Sequence, residues 1–148
     1  MTKLVFDMDG TVADLYNVEN WLADLLAENT RPYDIAEPMY NMVELADLLN
    51  TLKTKGYTVA IVSWTAKNGR KEYNKAVRKA KIAWLKRYNF PVDEIHIVKY
   101  GTKKQTCIKA DNAILFDDDE RVRNTWTKGT TVNANFSIIP FLTKLAEG

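Results

Sequence analysis

The 148-residue chain is 46% hydrophobic, 11% aromatic and 27% charged, an ordinary globular composition that excludes a disordered or low-complexity protein. Its net charge of +2 is too small to mark a nucleic-acid binder by itself. No apolar run is long enough to span a bilayer, and the single cysteine, Cys107, excludes an internal disulfide and fits a reducing, cytoplasmic setting. The length suits one domain over residues 1–148.

In chain order, the opening MTKLVFDMDG meets charge after three apolar residues, which is not the pattern of a signal peptide. Its KLVF run, Lys3 to Phe6, predicts a buried parallel strand that stops at Asp7. Helical spacing follows in Val18, Trp21, Leu22, Leu25 and Leu26. A Pro-marked loop is expected over Arg31 to Pro38. A second helix carries Met42, Val43, Leu45, Leu48, Leu49 and Leu52, and Gly56 ends it. Tyr57 to Val62 predicts the next strand, stopping at Ser63.

Residues 67–87 hold Lys67, Arg70, Lys71, Lys75, Arg78, Lys79, Lys81, Lys86 and Arg87 against the single acid Glu72. A long helix is expected there, burying Tyr73, Ala76, Ala80, Ala83 and Trp84. Its charges read as a solvated face, with a field that attracts an anionic substrate as the second reading. Ile95 to Val98 predicts a strand, Gln105 to Ala110 a short helix, and Ala113 to Phe116 a strand stopping at Asp117. Thr130 to Asn133 predicts a fifth strand and Ile138 to Ala146 a closing helix. Strands alternating with helices imply an α/β fold, a parallel sheet covered on both faces. Such sheets place their ligands beyond the carboxyl ends of the strands.

Asp7, Ser63 and the Asp117–Asp118 pair each fall at such an end, so they can meet in one crevice. A strand-end Asp or Ser alone is ordinary loop chemistry; three on separate strands point to a site. Asp7 can act as a nucleophile toward phosphorus and lend its second oxygen to a divalent cation. Asp9, two residues on, can protonate the leaving oxygen and then activate water, its backbone carbonyl facing the metal. Mg²⁺ prefers oxygen ligands and keeps several waters, so Asp117 and Asp118 suffice as the remaining carboxylates. Ser63 offers a hydroxyl to a phosphoryl oxygen, and Lys103 or Lys104 a compact positive charge.

These four pieces resemble the four motifs of the haloacid dehalogenase superfamily. Its Asp-x-Asp-Gly-Thr opening is matched by Asp7-Met8-Asp9-Gly10-Thr11, its strand-end Ser or Thr by Ser63, and its helix-opening lysine by Lys104 in preference to Lys103. Its acidic pair is matched by Asp117-Asp118. The resemblance implies Mg²⁺, an aspartyl-phosphate intermediate and a three-layer Rossmann-like fold with strand order 5-4-1-2-3. It makes Asp9 a sign of phosphate hydrolysis rather than dehalogenation. Asp118 is preferred for direct metal ligation, with Asp117 a ligand or a neighbour that supports one. Asp119 and Glu120 are expected to cap the following helix, and Asn124 stands, at loose spacing, where a further acid or amide is usual.

A cap insertion after the first motif has room only over about residues 14–40, so the site should be open to a sizeable substrate or completed by a partner subunit. DMDGTVAD, NKAVRKAKIAWLKRYNF with its K-x-x-W core, and ADNAILFDDD are similar to the 5′(3′)-deoxyribonucleotidases and their phage and bacterial relatives. That implies a small phosphorylated substrate, a (deoxy)nucleoside monophosphate, with no membrane partner. Trp64, Tyr33 and Tyr100 are candidates to stack on a base, with core packing as the competing role. A phosphatase of polynucleotide 3′ ends or of sugar phosphates is the alternative, nucleic acid being the less favoured partner. A phosphorylation switch is disfavoured because the Asp-x-Asp stands on the first strand and Asp9 would supply turnover. His96, the only histidine, and Cys107 are expected to be structural.

Overall fold

The computed structural model describes residues 2–135 and 137–148. Five strands form one parallel sheet: β1 (Lys3–Phe6), β2 (Thr58–Trp64), β3 (Glu94–Val98), β4 (Ala113–Asp117) and β5 (Thr131–Asn133), in the order β3-β2-β1-β4-β5. This is the predicted 5-4-1-2-3 order read from the other edge. The helices are α1 (Trp21–Leu26), α2 (Arg31–Ile35), α3 (Met42–Thr54), α4 (Lys71–Arg87), α5 (Glu120–Thr125) and α6 (Ile138–Glu147), with 3₁₀ turns at Leu15–Asn17 and Lys104–Cys107.

Alternation along the central strands feeds two cores. Leu4, Phe6, Val59, Ile61 and Phe116 face one side, where Leu45, Leu49 and Leu52 of α3, Ile138 and Leu142 of α6, and Trp84 and Leu85 of α4 cover them. Val5, Ala60, Val62 and Leu115 face the other, under Ile108, Val122 and Trp126. Fully burying a Val, Leu, Ile or Phe side chain of these cores contributes roughly 1.5–3 kcal/mol. Across the centre, Phe6 stacks on Phe116 at 4.5 Å and 8°. The result is a three-layer, Rossmann-like α/β fold.

The chain steps outward from β1 to β2 and β3, then returns to β4 on the opposite side of β1 and steps away to β5. Right-handed crossovers in the two directions send their helices to opposite faces and open a crevice between β1 and β4, above their carboxyl ends. The topology therefore sets Asp7 beside Asp117.

Several local expectations shift. β2 continues through Ser63 and Trp64, which pair with Ile97 and Val98. The expected loop at Arg31–Pro38 contains α2, because a proline in the first helical turn gives up only an N–H that has no partner there. The short helix expected at 105–110 is the 3₁₀ turn Lys104–Cys107. On α4 the buried face is Tyr73, Val77, Ala80, Lys81, Trp84 and Leu85, while Ala76 and Ala83 face solvent. Alanine is small enough to stand on either side, so the bulkier Val77 and Leu85 set the helix's rotation. Asn41 caps α3 by accepting from the N–H groups of Val43 and Glu44. Gly56, at φ +98°, ends it where the sequence placed the stop.

Residues between Ala13 and Pro38 make an excursion from the chain beyond the carboxyl end of the central strand β1 and return to it. Ala13 and Pro38 form an antiparallel bridge, and the Met39 N–H donates to the Val12 carbonyl. The excursion carries α1 and α2, and its Leu15 and Tyr33 pack on Ala66, Tyr73, Val77 and Ala80 in a third apolar cluster. Among the described residues, no helix is long and apolar enough to cross a membrane.

Candidate active site

Asp7 follows β1 directly, and its backbone N–H donates to the Phe116 carbonyl at 2.9 Å, which fixes it against the end of β4. Its Oδ1 accepts from Lys104 Nζ at 2.8 Å and its Oδ2 from Thr11 Oγ1 at 3.1 Å. The same lysine donates to Asp117 Oδ2 at 2.8 Å. Burial would lower the Lys104 ammonium, but Asp7 and Asp117 outweigh it and hold the group charged, above its ordinary value. Lys103, its neighbour, is exposed and caps the turn, so only Lys104 turns inward.

Asp117 is the last residue of β4, its Oδ1 accepting from the Asp119 N–H at 2.9 Å. Arg123 donates to the Asp117 carbonyl at 3.0 Å and braces the strand end from α5. Asp118 lies one residue beyond, 3.4 Å from Thr11 Oγ1. Asp7, Asp117 and Asp118 each present an oxygen within 4.8 Å of the others. Burial, and then the adjoining Asp7 charge, pushes both Asp117 and Asp118 above the ordinary carboxylate range. Lys104 serves two of the three carboxylates, and no ion pair forms at Asp118 among the described residues. A hard divalent cation with oxygen preference fits that donor set and that excess of negative charge.

Gly10 makes the arrangement possible. It sits at φ +77°, and a Cβ there would stand 2.4 Å from Asp118 Oδ2. Only glycine permits both the left-handed turn and this close approach.

Across the crevice stands a second lysine. Lys81 of α4 is 0% exposed, and its Nζ donates to Asp9 Oδ2 at 2.7 Å, Ser63 Oγ at 2.8 Å and the Trp64 carbonyl at 2.8 Å. Burial raises the Asp9 carboxyl above its ordinary value, with Lys81 pulling the other way. In the sequence Lys81 stands among the charges of a basic helix and is not marked as a site residue. A finer signal was present: Val77 and Trp84 stand at i−4 and i+3 from it, which puts Lys81 on their buried face.

The crevice encloses about 820 Å³ and holds Asp7, Asp9, Ser63, Lys104, Asp117 and Asp118 on its floor. Trp64 and Tyr100 form one wall, their rings 4.9 Å apart, with the Trp64 indole N–H donating to the Thr102 carbonyl at 2.8 Å. The excursion forms the other wall with Tyr16, Trp21, Leu22 and Leu26, of which Leu22 is 53% and Leu26 77% exposed. Tyr16, beside the carboxylates, was not singled out in the sequence. Tyr33 is buried, lines the crevice and lies with its ring centroid 5.0 Å from Lys81 Nζ, so packing is its main role.

The remaining candidates lie outside. Asp119 caps α5, as expected, accepting from the Arg121 N–H, and Glu120 stands exposed in the first turn. Asn124 is exposed on α5 and does not line the crevice, because the helix has turned it away from the strand end. His96 pairs with Glu94 at 2.9 Å on the edge strand, and Cys107 is a free, partly buried thiol.

Among solved structures, the chain is similar to D,D-heptose 1,7-bisphosphate phosphatase from Burkholderia thailandensis. The TM-score is 0.58 at 12% identity, with 100% of both chains covered. At that identity the likeness is one of fold. No family model matches the sequence, and no curated protein matches it.

Proposed function

We propose that this chain is a Mg²⁺-dependent phosphohydrolase of the haloacid dehalogenase type, with Asp7 as nucleophile. The observation that carries the reading is the convergence of Asp7, Asp117 and Asp118 at the point where the strand order reverses, with Lys104 bridging the first two. The fold shared with a bisphosphate phosphatase is compatible with it.

In this reading an Asp7 carboxylate oxygen attacks phosphorus and the bond to the ester oxygen breaks. Asp9 gives its proton to that leaving oxygen, so an alcohol departs and an aspartyl phosphate remains. Asp9, now ionised, takes a proton from water as the water attacks phosphorus. That releases phosphate and restores Asp7. Ser63 and Lys104 hold phosphoryl oxygens as charge builds. Asp7, Asp118, the Asp9 carbonyl and, directly or through a neighbour, Asp117 would hold Mg²⁺, which when bound offsets the repulsion between carboxylate and phosphate.

For the substrate we favour a (deoxy)nucleoside monophosphate. Trp64 and Tyr100 supply aromatic faces beside the carboxylates, and the excursion over residues 14–40 acts as a small cap that leaves the crevice open. The solitary cysteine suits work in the cytoplasm.

One observation favours a second reading, a phosphate at a polynucleotide end. Lys71, Lys75, Lys79 and Lys86 lie exposed along one side of α4, and among the described residues none pairs with a carboxylate. α4 starts beside Lys67 and Arg70 at the crevice rim, so this row leads away from the site.

A Mg²⁺-supplemented phosphate-release screen over nucleoside monophosphates, sugar phosphates and 3′-phosphorylated oligonucleotides decides between them. Mononucleotides as the best substrates support the first reading. Preference for oligonucleotides, lost steeply with salt, supports the second. Release from none of the three, or release unaffected by a chelator, would refute the proposed activity.

A further inference from the structure

Lys81 is an expensive residue to bury, and its contacts say what it secures. Its ammonium has three N–H donors, and three acceptors from two other segments of the chain consume all of them: Asp9 Oδ2, Ser63 Oγ and the Trp64 carbonyl. The Tyr33 ring lies beside it, 5.0 Å from Nζ to centroid. A methionine at this place would pack α4 against the sheet without the cost of desolvating an ammonium, so packing alone does not call for lysine.

Two consequences follow from donor and acceptor roles. Ser63 Oγ accepts from Lys81, so the serine's own proton points away from the ammonium and is free to meet a phosphoryl oxygen. Asp9 has Oδ2 held by Lys81, and its other oxygen is left to face the reacting group. The two side chains stand on different segments, the turn after β1 and the end of β2, and Lys81 joins them from α4. Lys104 is engaged elsewhere, on Asp7 and Asp117.

We infer that Lys81 is a positioning residue of the proposed reaction, which fixes Asp9 toward the leaving oxygen and Ser63 toward the phosphoryl group without itself touching substrate. The inference rests on the phosphohydrolase reading of the site.

Leaving-group dependence separates this role from a structural one. An aryl ester such as p-nitrophenyl phosphate expels its leaving group with little protonation, whereas an alkyl phosphomonoester needs the acid. The ratio kcat/KM covers steps up to the first irreversible one, which is formation of the phosphoenzyme, so water activation by Asp9 does not enter it. Lys81→Met should lower kcat/KM for both esters through Ser63. It should lower that of the alkyl ester about a hundredfold further, since a positioned general acid contributes on the order of 10²–10⁴-fold. In an Asp9→Asn background, Lys81→Met should cause no extra loss specific to the alkyl ester.

Equal losses on the two esters, or an undiminished extra loss in the Asp9→Asn background, would overturn the inference while leaving the phosphohydrolase reading intact. Lys81→Gln repeats the comparison if the Met variant does not fold. Failure of both to fold where the wild type does would make Lys81 a structural residue and also overturn it. A wild-type protein inert toward both esters with Mg²⁺ would remove the reading and the inference together.

Discussion

A methyl group on Gly10 would stand 2.4 Å from Asp118 Oδ2 and 2.9 Å from the Tyr16 ring, at a φ of +77°. Gly10→Ala therefore costs roughly 1–2 kcal/mol from the left-handed backbone alone, and the collision must displace the Asp118 carboxylate. The variant should unfold at lower denaturant and bind Mg²⁺ more weakly by calorimetry. Wild-type affinity for the metal would show that Asp118 is not held where Gly10 permits it. At this scale the sequence was informative where a residue type is unusual for its place. Acids abutting apolar strands mark Asp7 and Asp117, because a strand-end acid, ordinary loop chemistry when alone, here recurs at the ends of separate strands. Lys81 was hidden for the converse reason. A lysine among eight other cations looks like surface, and only the rotation of α4, set by Val77 and Leu85, turns it inward.

Among the elements, α4 is the one to which the excursion is fastened. The Tyr73 hydroxyl donates to the Asn29 carbonyl at 3.0 Å, the Trp84 indole N–H to the Ala36 carbonyl at 2.8 Å, and Arg87 to the Asp34 carbonyl at 2.7 Å. Tyr73→Phe keeps the ring in the apolar cluster and removes one of these ties, worth about 0.5–1.5 kcal/mol. Amide hydrogen exchange in α1 and α2 should quicken in that variant, while β1, β2 and β4 keep wild-type protection. Uniform acceleration across the sheet would mean that the excursion and the sheet open as one unit. The strands and long helices were legible because their periods of two and 3.6 are strong over several residues. α2 was not: it is five residues long, opens with a proline-bearing turn and carries no repeat of its own.

On the scale of the whole molecule, stability should depend on pH through the crevice. Burial and the neighbouring Asp7 raise Asp117 and Asp118 above their ordinary values. Between the ordinary carboxylate range near about 4 and those raised values, the folded state binds more protons than the unfolded one. Stability of the metal-free protein must then fall as pH rises through that window. Asp93, Glu94 and Asp119 are lowered instead. Their stabilising contribution is complete above the ordinary carboxylate range and is lost only in more acidic solution. Urea midpoints taken from about pH 5 to about pH 8 should decline in chelator and level out when Mg²⁺ is added. A midpoint in chelator that is flat or rises over that range would contradict the crowding of carboxylates around Asp7.

The proposed reaction turns on one covalent bond, between Asp7 and phosphorus. The Asp9→Asn variant, mixed with Mg²⁺ and p-nitrophenyl phosphate, whose leaving group needs little protonation, should accumulate phosphoenzyme because the base that activates water is gone. Acid quench, digestion and mass spectrometry should then find one phosphoryl group on the peptide containing Asp7, labile to hydroxylamine. The adduct should be absent when Asp7 is also changed to Asn. A phosphoryl group on any other residue would contradict Asp7 as the nucleophile. So would steady phosphate release by the Asp7→Asn protein.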